Sequence, residues 1–76
     1  MALYVRVEKV DGGDRSAKYS FSTGDGPARI LLIDLDADRV WPEDGDRDVV
    51  FRGAAQALAR ELDAQGRLPD LALLQS

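Results

Sequence analysis

Cysteine and histidine are both missing from this 76-residue chain. Without thiols there is no disulfide and no thiolate nucleophile, and without imidazole no side chain titrates unperturbed near neutrality. The usual zinc ligand sets go with them. Most mechanisms open to a small enzyme are thereby removed, so the expectation is a non-enzymatic protein that carries no cofactor. Long apolar runs are absent too, which excludes a membrane-spanning helix. The start, Met1-Ala2-Leu3-Tyr4-Val5-Arg6, reaches charge before any signal-like stretch forms. A cytoplasmic location with no membrane partner is the default expectation. Lysine is scarce, at two against eight arginines. With Ala, Asp, Gly and Leu abundant, this is the compositional habit of high-GC bacterial genomes, a matter of codons and not of function.

What is present is a foldable composition, 45% hydrophobic and 32% charged, too apolar for a disordered tail. A chain this short has room for one core and buries only about 60% of the surface its unfolded form exposes. One small domain over 1–76 is therefore expected, with 70–76 as an apolar C-terminal tail. Fourteen acidic against ten basic residues leave a net charge of −4. The arginines stand singly among carboxylates, so no basic stripe invites phosphates and no nucleic-acid partner is expected.

Strict alternation over Leu3–Val10 places Leu3, Val5 and Val7 on one face and Tyr4, Arg6 and Glu8 on the other, which predicts a half-buried strand. Asp11-Gly12-Gly13-Asp14-Arg15 is a hairpin turn. From Ser16 to Thr23 a second strand sends Ala17, Tyr19 and Phe21 to the core. After a second turn at 23–27, the apolar run Ile30-Leu31-Leu32-Ile33 predicts a third strand, most naturally a central one. Arg39-Val40-Trp41 reads as a short fourth strand that Pro42 ends. With so few aromatics, Trp41 is expected inside.

Phe51, Ala54, Ala55, Leu58 and Leu62 recur at three and four residues over about 47–65, an amphipathic helix capped by Asp46 or Asp48 and stopped near Gly66 and Pro69. The expected class is α+β: a three- to four-stranded antiparallel β-meander packed against one C-terminal α-helix. The tail Leu71-Ala72-Leu73-Leu74 is unusually apolar for a terminus. It packs on its own sheet as an edge strand or short turn, or it pairs with another chain.

Two acidic motifs invite chemistry. Leu31-Leu32-Ile33-Asp34-Leu35-Asp36 resembles the first motif of the haloacid dehalogenase phosphatases, which implies Asp34 as phosphoryl acceptor with a magnesium ion. The resemblance covers one strand and departs from the family at Asp38. The single helix left after it cannot complete a doubly wound sheet. Asp34, Asp36 and Asp38 also open like a calcium-binding loop, but Arg39 and Gly45 stand where its turn glycine and bidentate glutamate belong. These three carboxylates remain the weak candidates for a divalent ion, beside the simpler reading of an acidic turn.

Residues 54–62 followed by Gly66-Arg67-Leu68-Pro69 look like the end of HicB-type antitoxins, small strand-rich domains with one packed helix. Asp11-Gly12-Gly13 and Tyr19-Ser20-Phe21 echo their first hairpin, while the Pro-Asp-x-Pro-Gly-Cys run that normally follows is absent. That resemblance implies a role as an acidic partner neutralising a basic protein. The leading expectation is a protein-interaction domain, self-associating as a homodimer or binding another protein. Its candidate contact residues are Ile30, Leu32, Leu71, Leu73 and Leu74.

Overall fold

In the computed structural model, residues 3–75 are described; Met1, Ala2 and the tail's last residue, Ser76, lie outside them. Five strands and one helix follow the chain as β1 (Tyr4–Gly12), β2 (Ser16–Ser22), β3 (Arg29–Asp34), β4 (Arg39–Pro42), α1 (Val49–Gln65) and β5 (Leu71–Gln75). They form one antiparallel sheet in the order β4-β3-β2-β1-β5, with the helix on one face. The α+β meander is thus present, including its short fourth strand. The tail adds a fifth strand by returning beside β1, so β2 is central and the apolar β3 is displaced one place towards an edge.

The first hairpin turns where the sequence is rich in glycine. Gly12 sits at φ 105°, and a Cβ there would meet the Ala17 Cα and the Ser16 carbonyl at 2.5 Å, so no other residue fits. Just before it the pairing shifts register between Lys9 and Asp11, leaving Val10 as the extra residue of a bulge.

One face of the sheet makes the core. Val5, Val7, Ala17, Tyr19, Phe21 and Leu31 point inwards and meet Phe51, Ala54, Ala57 and Leu58 of α1, with Ala72 and Leu74 from β5. At the helix start Asp48 is the cap, its carboxylate accepting from the Phe51 N–H at 2.9 Å. The helix ends at Gly66, whose N–H donates to the Leu62 carbonyl at 2.8 Å. Between these ends Gly53 lets the helix lie close on β1 and β5: a Cβ there would come within 2.9 Å of Leu74 and 3.3 Å of Val5. The helix therefore sits over β5 and β1 and only grazes β2. The hydroxyl of the fully buried Tyr19 donates to the Pro69 carbonyl at 2.5 Å, tying the central strand to the segment that leads into β5. Burial, and then the charge of Asp70, push that phenol well above its ordinary pKa.

Candidate functional site

Among the described residues no helix lies over the second face of the sheet. Its residues follow from the register, because paired residues share a face. One row across the strands reads Leu73, Arg6, Ser22; the next reads Leu71, Glu8, Ser20, Ile30; a third reads Asp11, Lys18, Leu32, Trp41. The face is thus apolar at both margins and polar through the middle, where Arg6 and Glu8 form an ion pair at 3.7 Å. Leu71 and Leu73, at 43% and 48% exposed, mark one margin with Tyr4 beside them; Ile30, Leu32 and Trp41, all half-buried, mark the other.

Four of the five candidate contact residues lie on this one face: Ile30, Leu32, Leu71 and Leu73. Leu74 does not. Alternation along β5 turns it to the helix side, where it is 6% exposed and packed in the core. Trp41, expected inside, stands on the open face instead, in register with Leu32 and with the Arg39 guanidinium 4.6 Å above its ring. It borders a shallow depression of about 240 Å³ that Asp11, Lys18, Leu32 and Asp34 also line.

The two edges of the sheet differ in kind. At the β4 edge the Glu43 N–H donates to the Ile30 carbonyl at 2.8 Å. Narrow pairs recur every second residue, so Trp41 and Arg39 also turn their backbone groups to β3, and Val40 and Pro42 face outwards. Pro42 has no N–H, and the strand is four residues long, which blunts that edge. On β5 the Lys9 N–H donates to the Asp70 carbonyl at 2.9 Å. By the same alternation Ala72 and Leu74 face β1, leaving the backbone groups of Leu71, Leu73 and Gln75 directed outwards. No described strand pairs with that outer side. The strand Leu-Ala-Leu-Leu-Gln carries neither charge nor proline, the combination that leaves a sheet edge able to accept another strand.

The acidic residues are held by turn and cap geometry. Asp34 accepts from the N–H groups of Asp36 and Ala37 at 3.0 and 3.2 Å, an Asx turn that starts the reversal into β4. Asp38 takes the left-handed conformation at φ 52°. Asp36 is drawn to the Arg15 guanidinium at 2.6 and 2.8 Å, so these carboxylates do not converge. Among the described residues no group of three acidic side chains is placed to hold a metal ion.

Arg29 has a larger part than its sequence position suggested. Its guanidinium bonds Asp44 at 2.9 and 3.2 Å, Asp48 at 2.8 and 2.9 Å and the Asp46 carbonyl at 2.7 Å. It also stands 4.8 Å above the Phe21 ring. Hydrogen bonds to Asp44, then Asp48, raise its own pKa further. Both carboxyls are held below the ordinary range, first by Arg29 and then by backbone N–H groups, that of Asp46 for Asp44 and that of Phe51 for Asp48. The cluster closes the 43–48 connection over the start of α1. Its only sequence signal was one arginine opening an apolar strand ahead of an acidic loop.

A five-stranded antiparallel sheet with one helix on one face and an uncovered, margin-apolar second face defines this domain. Compared with known protein families, curated proteins and solved structures, the chain matches none. The likeness to HicB-type antitoxins therefore rests only on residues 54–62 and 66–69 and on the echoes at 11–13 and 19–21.

Proposed function

We propose that this domain is a small non-enzymatic interaction module that self-associates through β5 and the apolar margin of the open sheet face. One observation supports it above the others: Leu71 and Leu73 stand exposed side by side on an uncharged edge strand, while the opposite edge ends in Pro42. A chain of this size has a thin core, and association adds the burial that its own helix does not supply. Strand addition provides main-chain hydrogen bonds, and the two leucines provide apolar area.

Light scattering across a concentration range is the test. The wild-type mass should rise towards twice the monomer value as concentration increases. Replacing Leu71 and Leu73 together by Lys should hold the protein at monomer mass with its circular dichroism unchanged, since neither side chain enters the core. A wild-type chain that stays monomeric throughout overturns the reading.

A further inference from the structure

We propose that Asp25 is a site of spontaneous covalent modification, at which the chain passes through a cyclic imide to isoaspartate. The Gly26 backbone nitrogen attacks the side-chain carbonyl carbon Cγ of Asp25. A C–N bond closes a five-membered ring, and the amide proton and the carboxyl's hydroxyl leave together as one water. Water then reopens the ring at either carbonyl. Opening at Cγ restores aspartate; opening at the former main-chain carbonyl leaves isoaspartate, with Cβ now part of the main chain. The water lost is regained, so the net change is an isomerisation that needs no oxidant, reductant or cofactor.

A glycine after aspartate favours this ring, because no Cβ shields the attacking nitrogen. The chain has three such pairs: Asp11-Gly12, Asp25-Gly26 and Asp44-Gly45. The fold restrains two of them. At the first, the Gly12 N–H donates to the Asp11 carboxylate oxygen at 2.9 Å, and Gly12 is packed against Ala17 in the ladder between β1 and β2. Turning its nitrogen onto Cγ, as the attack requires, would break that pairing. At the third, Arg29 bonds the Asp44 carboxylate at 2.9 and 3.2 Å, and the Asp46 N–H adds a bond at 2.9 Å. The Gly45 N–H is itself engaged, donating to the Pro42 carbonyl at 3.1 Å. Arg29 also keeps that carboxyl ionised, whereas the ring closes on the neutral acid, whose hydroxyl can leave.

Asp25 has none of these restraints. It is exposed in the turn between β2 and β3, and no described residue hydrogen-bonds or pairs with its carboxylate. Glycines flank it on both sides, Gly24 at φ 33°, so little hinders the rotation that carries the Gly26 nitrogen to Cγ. The last paired residues before and after the turn are Phe21 and Arg29, and an extra main-chain carbon at 25 falls outside that ladder. The rearranged chain therefore keeps its sheet and changes only the tip of this loop.

Trypsin, cutting after lysine and arginine, puts the three pairs in separate peptides, 10–15, 19–29 and 40–47. The full chain is aged at neutral pH, folded and in denaturant, and the peptides are separated and read by electron-transfer fragmentation, which tells isoaspartate from aspartate at equal mass. In the folded protein the 19–29 peptide should split into two peaks of equal mass, while 10–15 and 40–47 gain a second peak several-fold more slowly. In denaturant all three should split at similar rates, because the restraints on Asp11 and Asp44 are then gone. Asp25→Glu, whose ring would need six members, should lose the 19–29 split. A folded chain whose 19–29 peptide stays single, or splits no faster than the other two, overturns the proposal, as does a split that survives Asp25→Glu.

Discussion

At the scale of single residues, Arg29 shows how one side chain joins parts of the chain that the sequence separates. Its five hydrogen bonds hold Asp44, Asp46 and Asp48 over the helix start, and its stacking on Phe21 fixes its position. The pairing sets a pH dependence. Asp44 and Asp48 have folded-state pKa values lowered from the ordinary 3.8, so their contribution to stability is present above the ordinary carboxylate range. It is lost as pH falls through the lowered values. Arg29→Met, which keeps the apolar cover on Phe21, should lower the melting temperature by roughly 5 °C at neutral pH. The gap to wild type should close as pH falls below the ordinary carboxylate range, as both proteins protonate these carboxyls. Thermal melts from neutral to acid pH check this, and a gap independent of pH would show that the ion pairs do not contribute.

Among the elements, β5 divides its work between its two faces. Ala72 and Leu74 enter the core beneath α1, while Leu71 and Leu73 stay on the open side. Substitutions at neighbouring positions should therefore part sharply. Leu74→Ala leaves a cavity next to Gly53 and Val5 and should cost about 3 kcal/mol in denaturant melts. Leu73→Ala should change the stability of the monomer by no more than about 0.5 kcal/mol while weakening association. Equal losses at both positions would mean that the strand does not sit as described. The apolar character of the tail was legible, since Leu71, Ala72, Leu73 and Leu74 follow one another without a charge, and a strand along them divides these residues into Leu71 and Leu73 on one face and Ala72 and Leu74 on the other. Which of the two sets faces the core was not, because that depends on the partner strand, and β1 lies at the opposite end of the chain.

For the whole molecule, the placement of one helix on a five-stranded sheet governs what remains exposed. The helix covers β1 and β5 on one face, and no second layer covers the other among the described residues. Among those residues no helix is long and apolar enough to cross a membrane. Association of two chains of charge −4 through an uncharged seam works against their net repulsion. Raising salt from about 0.05 to about 0.3 M shortens the screening length and should strengthen the dimer. Association that weakens with salt would instead point to pairing between opposite charges. Sedimentation at the two salt concentrations distinguishes these cases.

Read locally, the amino-acid order was enough for the alternation of β1 and β2, the turns at Gly12 and near Gly26, the helix with a cap at Asp46 or Asp48, of which the structure selects Asp48, and the apolar character of the tail. Each of these is set by side-chain period or by backbone preference within a few residues. Folding in three dimensions was needed to establish that the tail returns to β1, that β2 and not β3 is central, that Trp41 stands on the open face, and that Arg29 gathers the acidic loop. It also separated Leu74 from Leu71 and Leu73 and brought those two onto the same face as Ile30 and Leu32. All of these depend on contacts between residues far apart in the chain, and strand order is chosen by which edges remain to be paired once the hairpins have formed.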